Sequence, residues 1–244
     1  MAFPTIPTAA ASRVLVNNQA NTTATRTFPS LTGLTKNSGD LLIAICVAYQ
    51  TSTGTDAAFS GWTGSFTEFH DSATSSTMAV GMAYKWSDGT ETGTFAVTQA
   101  ATITGYASMI LLSIPGAHRT TVPEAGSRAS GTGAANPAAF NPANWGVEDT
   151  LWIAVAGNGE TNAAGAWGGL TAAPTNYTGY VDTAAADTST IGECEAAVAF
   201  RQLAAASEDV GTFTGDTSNA RDAVVVVAVR PLYIAERTGV AVLV

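Results

Sequence analysis

The chain has little charge, two cysteines and almost no lysine. Charged residues make up 12% of its 244 positions, about half the share of roughly 25% usual in globular domains. Basic residues number 10 against 19 acidic ones, for a formal charge of −9. That balance argues against a nucleic-acid binder, which needs clustered basic side chains to meet phosphates. Lysine occurs only at Lys36 and Lys85. The two histidines, His70 and His118, have no second His or Cys at ligand spacing, so neither a metal site nor a cofactor is expected. The Gly-x-Ser-x-Gly elbow, the P-loop and the dinucleotide fingerprint are all missing. No apolar run reaches the ~20 residues of a membrane helix. The opening Met1-Ala-Phe-Pro-Thr-Ile-Pro lacks the basic and apolar regions of a secretory leader, so synthesis in the cytoplasm without export is expected. Cys46 and Cys194 lie in apolar runs and read as buried free thiols, with a bridge between them the lesser alternative.

What the sequence does contain is β-structure. Helical periodicity is nearly absent, and short runs rich in β-branched and aromatic residues alternate with Gly, Thr, Ser, Asn, Asp and Pro. Strands are expected at 13–17, 25–28, 41–49, 66–71, 78–86, 94–98, 107–114, 151–157, 177–181, 193–203, 210–214 and 223–230. Many short strands separated by turns indicate an all-β, antiparallel β-sandwich. Leu41–Val47 and Val224–Val229 are apolar throughout, as central strands covered on both faces should be. In contrast, Glu193 and Glu195 alternate with Cys194 and Ala196, which reads as a strand with one wet face.

Four blocks of the first half recur in order in the second. Asp40-Leu-Leu-Ile-Ala echoes Asp149-Thr-Leu-Trp-Ile-Ala, 109 residues later. Met78–Trp86 echoes Cys194–Gln202 at a spacing of 116, Gly93-Thr-Phe echoes Gly211-Thr-Phe at 118, and Ala107–Pro115 echoes Ala223–Pro231 at 116. Two pseudo-equivalent halves, 12–117 and 118–232, are therefore expected inside a single sandwich domain spanning 12–232. An N-terminal arm (1–11) precedes it and a C-terminal tail (233–244) follows. The halves could stand as two small sandwiches or interleave, each supplying strands to both sheets. The fully apolar strands favour interleaving.

The blocks carry a resemblance. Gly39–Leu42, Gly61-Trp62-Thr63, Ala83-Tyr84-Lys85-Trp86, Glu91–Phe95, Ile114–Ala117, Asp149–Ile153 and the closing Ala223–Pro231 resemble a pattern found in phage virion accessory and tail-type proteins and some bacterial surface proteins. It covers roughly residues 12–232 and includes no catalytic signature. The resemblance implies a jelly-roll or lectin-like sandwich at work in a virion. The tail departs from the pattern.

The expected function is therefore a non-enzymatic bacteriophage virion structural protein. Capsid decoration comes first, with a tail or fibre component or a carbohydrate-binding adhesin as the alternative. Its partners would be copies of itself, the major capsid or tail proteins and, for the adhesin, a host glycan, with no nucleic acid or membrane. Carboxylates that a glycosidase would need in facing pairs occur at Glu193, Glu195, Asp40, Asp149, Glu208 and Asp209, and read as solvated acids near strand ends. Among five tryptophans, Trp62 and Trp152 look structural, whereas Trp145 and Trp167 fall in Gly/Ala/Asn-rich loops and are candidates for ligand or subunit contact. The apolar residues of the tail (Tyr233, Ile234, Val240, Val242, Leu243 and Val244) would aggregate if left free. They read as an assembly element docking by strand addition, with the arm as a second such element.

Overall fold

A computed structural model of the chain describes residues 2–20, 25–28, 30–49, 59–71, 78–99, 106–132, 136–143, 145–160, 169–183, 193–215 and 221–232. Every long element among them is a strand. Two large sheets and two small ones form an all-β sandwich.

The first large sheet contains β1 (Arg13–Ala20), β3 (Leu41–Tyr49), β5 (Thr67–Asp71), β6 (Met78–Trp86) and β8 (Tyr106–Ile114), in the order β1-β8-β3-β6-β5. A small sheet, β2-β7-β4, is made by β2 (Thr25–Thr27), β4 (Phe59–Ser60) and β7 (Ala96–Gln99). The second large sheet contains β10 (Ala129–Thr132), β11 (Glu148–Glu160), β13 (Thr178–Asp182), β14 (Glu193–Ala205) and β16 (Arg221–Val229), in the order β10-β16-β11-β14-β13. The short β9 (Glu124–Ala125) adds beside β16, and β12 (Leu170–Ala172) pairs with β15 (Thr214–Gly215). All pairings are antiparallel.

The two halves do not interleave. Every strand of the first large sheet precedes residue 115, and every strand of the second follows residue 123. The apolar strands have another origin, which is that each large sheet is covered on both faces. Leu41, Ile43, Ile45 and Val47 of β3 meet Leu151, Ile153 and Val155 of β11 in a core between the large sheets. The alternate residues Leu42, Ala44, Cys46 and Ala48 face a second core with Phe28, Phe59, Phe66 and Phe95. Trp152, Ala154 and Ala156 face a third with Tyr177, Val210 and Phe213. With no wet face, the period-two alternation of a sandwich strand disappears from the sequence.

Matched by position, the large sheets have the same strand order, and their registers refine the sequence echo. Leu42 lies opposite Lys85, and Trp152 opposite Arg201. This matches Leu42 with Trp152, 110 residues on, and Asp40 with Thr150 rather than Asp149. The echo of Ala107 by Ala223 is also one residue out. Ala107 faces the small sheet, whereas Ala223 faces the core between the large sheets. A one-residue slip exchanges faces, and a spacing of 115 restores them, setting Ile110 against Val225.

The large sheets are in tight contact where Val47 meets Gly157. An added Cβ at Gly157 would lie 2.3 Å from Val47 Cγ1 and 3.0 Å from Met78 Cε. Nearby, Ser108 Oγ donates to the Cys194 carbonyl at 2.7 Å. At the opposite end of the sheets, Ala117 bridges Pro231, and Leu232 N donates to the Gly116 carbonyl at 2.8 Å. The segments preceding the halves cross over. Gln202 of the second half donates to the Pro4 carbonyl at 2.8 Å, and Thr5 N donates to Pro115 O at 2.9 Å. Arg128, ahead of β10, donates to the Met78 carbonyl of the first half at 2.6 Å. The arm expected to serve assembly thus docks on its own chain, while residues 233–244 lie outside the described residues.

The glycine at the contact should be irreplaceable. Gly157→Ala is expected to cost about 1–3 kcal/mol through overpacking, measured by urea denaturation. Adding Val47→Ala should restore part of that loss by vacating the space the new methyl needs.

Candidate functional site

The polar groups that stand out lie inside the second half. β14, β11 and β16 are neighbours, and Glu195, Asn158 and Asp222 are directly opposite one another across them. Their side chains share the face of Ala197, Ala156 and Val224, turned toward the third core. All three are buried. The same row of the first sheet is Ala79, Ala48 and Ala107, so the second half carries three polar groups where the first has methyls.

Glu195 is 1% exposed, and its Oε2 accepts from Leu170 N at 2.7 Å. Burial pushes its carboxyl up to about 8. The Leu170 N–H opposes that shift, and the negative fields of Asp182 and Asp222 add to it. At neutral pH the group is thus largely a carboxylic acid able to donate a proton in a hydrogen bond. Tyr180 closes one side, its hydroxyl donating to the Leu170 carbonyl at 2.9 Å. Neither Asn158 Oδ1 nor Nδ2 has a hydrogen-bond partner. Among the described residues, no group of three or more His, Cys, Asp or Glu is placed to hold a metal. The row can exchange a proton and hydrogen-bond a small buried guest such as water.

Glu195 therefore does not line a wet face. Leu170 of β12 and Tyr180 close over it, and the solvated acid expected there is a buried one. Glu208 is also internal. It pairs with Arg201 at 2.6 Å and accepts from the Tyr177 hydroxyl at 3.3 Å. Asp40 caps its own turn, accepting from Asn37 N at 2.7 Å. The convergence of Glu195, Asp182 and Asp222, from three strands, could not be read from spacing.

Trp145 is not an exposed platform. It is 6% exposed in the third core, with the Arg230 guanidinium 5.9 Å from its ring centroid. Arg230 is itself held by Glu148, its Nε donating to Oε2 at 2.6 Å and its Nη2 to Oε1. The loop composition around Trp145 hid this cation–π stack, whose partner lies at the far end of the chain. Trp167 lies outside the described residues, as do Tyr233, Ile234, Val240, Val242, Leu243 and Val244. Trp152 is wholly buried, and Trp62 is half-buried with its indole N–H donating to Glu68 at 2.9 Å. Cys46 and Cys194 are both buried free thiols. Burial pushes the Cys46 thiol up to about 12, so it is unreactive at neutral pH. His118 Nδ1 accepts from Thr121 N at 3.1 Å. Burial, then the Arg128 charge, pushes His70 down to about 4.

Several buried polar groups went unread in the sequence, Asn158 and Arg26 among them. Asn158 lies one residue past the strand expected to end at Gly157. Arg26, between Thr25 and Thr27, carried a usable signal, because in a three-residue strand with exposed flanks the middle side chain points inward.

A carboxyl raised in the folded state binds its proton more tightly there than in the unfolded chain. Glu195 should therefore lower stability as pH rises from about 4.5 to about 8, by at most about 1.4 kcal/mol per pH unit; His70, pushed down to about 4, acts in the opposite sense up to about 6.5, so the net fall is expected between about 6.5 and 8. Chemical denaturation across that range is expected to show this slope, and Glu195→Gln is expected to flatten it.

No protein-family model, curated protein or solved structure matches the chain. What it does has to be read from its own geometry.

Proposed function

We propose that the chain is a non-enzymatic bacteriophage virion structural protein, a capsid decoration subunit built from two jelly-roll halves. The observation that carries this reading is the strand order. An eight-strand jelly roll places strands one, eight, three and six in one sheet and two, seven, four and five in the other. The order β1-β8-β3-β6 with β2-β7-β4 fits that scheme, β5 lying beside β6 instead of β4. The second half, β10-β16-β11-β14 with β12-β15, fits it with fewer strands in the outer sheet. Jelly rolls of this kind serve viral capsids and lectins.

The charge distribution supports a packing role. Arg201, Arg230 and Lys85 are each committed to an internal carboxylate, and Arg128 donates to an internal carbonyl. A chain of low charge content, 12%, with several cations held internally suits burial against other subunits, since interface cores are depleted of charge. The work of such a subunit is stoichiometric, stabilising the particle by mass action.

A second reading, adhesion to a host glycan, rests on where strands end. Tyr49, Asp71 and Gln99 finish at the end of the first half where β4, β6 and β8 begin. Glu160, Asp182 and Gly215 do the same in the second. Val47, Ser108, Gly157 and Cys194 join these two ends. Strands of both halves thus end together at one end of the sandwich, which supports a reading in which that end recognises a ligand.

Immunogold labelling of intact virions with an antibody against the chain is expected to decorate the head. Label confined to the tail tip, with binding on a glycan array, would move the reading to adhesion; virions without label would overturn both. Deleting Val240–Val244 should weaken particle binding if the tail docks on neighbours, and unchanged binding would remove the tail from the interface.

A further inference from the structure

The inner face of the β2-β7-β4 sheet holds a cation in an otherwise apolar layer. Arg26, the middle residue of β2, is 2% exposed. Its Nε and Nη2 both donate to Gln99 Oε1, at 3.2 and 2.9 Å. Gln99 has no exposed surface, and its Nε2 has no hydrogen-bond partner among the described residues. The amide cannot be turned round to satisfy that nitrogen, because two N–H donors of Arg26 already claim its oxygen.

No carboxylate pairs with Arg26 among the described residues. The ionisable groups it feels are the Cys46 and Cys194 thiols, which burial keeps protonated and neutral. A guanidinium does not shed its proton in a protein. A full positive charge therefore sits in the interior with one neutral acceptor. Isolated buried charge is costly enough that proteins pair it or let it titrate away, and among the described residues Arg26 has no charged partner.

The large sheet of the same half offers no counter-charge in its matching row: Ala107–Ala48–Ala79 is made of methyl groups where the second half has Asp222, Asn158 and Glu195. Among the described residues, the buried atom left unpartnered at this pair is a donor, Gln99 Nε2, and it stands beside a guanidinium. The complement of the two is an acceptor with negative charge. The near-complete burial of both side chains admits a compact ion better than an anionic group on a larger molecule.

We propose that Arg26 and Gln99 form a buried binding site for one small monovalent anion of the halide class. The ion neutralises the guanidinium and accepts from Gln99 Nε2, tying β2 to β7 where each has little sheet of its own.

The test uses the intact chain. Crystals grown with bromide in place of chloride are expected to show an anomalous peak within hydrogen-bonding distance of the Arg26 guanidinium and Gln99 Nε2. Bromide peaks elsewhere, with none at Arg26, would overturn the site. In solution, chloride titrated against gluconate at constant ionic strength should raise the folded-to-unfolded ratio, by up to about tenfold per tenfold chloride once the site binds. Arg26→Met and Gln99→Leu should abolish that dependence. A ratio indifferent to chloride in the unsubstituted chain would overturn the proposal even if neither variant folds.

Discussion

The constraint on which the structure depends is that both faces of both large sheets are buried. Each is a middle layer, pressed against the other large sheet on one side and roofed by a small sheet on the other. Backbone hydrogen bonds are satisfied within the sheets, so burial costs little there. Side chains have no such freedom. Any polar group on β3, β6, β8, β11, β14 or β16 must find its partner inside or remain unpaired.

That constraint sorts the charged residues. Where a strand leaves the layer, pairs form at its end, as Lys85 with Glu91, Arg201 with Glu208 and Arg230 with Glu148. Lys85 and Arg201 hold the same place in the two halves, each opposite the matched residues Leu42 and Trp152. Pairs at half-buried strand ends stabilise modestly. Their larger effect is to hold register, since a slip of one residue would drive a charge into the core. Within the layers the halves differ. The first holds an arginine over alanines, and the second a row of acid and amide.

Strand positions were legible in the sequence because β-branched runs and Gly-rich breaks are local signals. The long strands at 41–49, 78–86 and 107–114 stand within a residue of where composition places them. The layers were not legible. An all-apolar strand is equally compatible with interleaved halves or with a sheet roofed by another, and only long-range pairing decides. The short strands β4, β9 and β12 were missed for a related reason. Two or three residues hold too little pattern, and these strands exist because an edge was available to pair with.

The polar sites show the same limit from the other side. Glu195 alternates with apolar residues, which is the mark of a wet face in any two-layer sandwich. It is misleading here because Leu170 and Tyr180 arrive from elsewhere in the chain to cover it. Trp145 was hidden in the opposite sense, its neighbours promising exposure while Arg230 lay over the ring. In both cases local composition described the strand or loop correctly, and the covering element, remote in sequence, set the burial. Burial in turn sets the chemistry. A carboxyl roofed by β12 holds its proton near neutrality, and a guanidinium roofed into the first half keeps a charge with no counter-ion among the described residues. The same architecture that buries polar groups in the roofed layers also makes their protonation and pairing the properties most open to the solution outside.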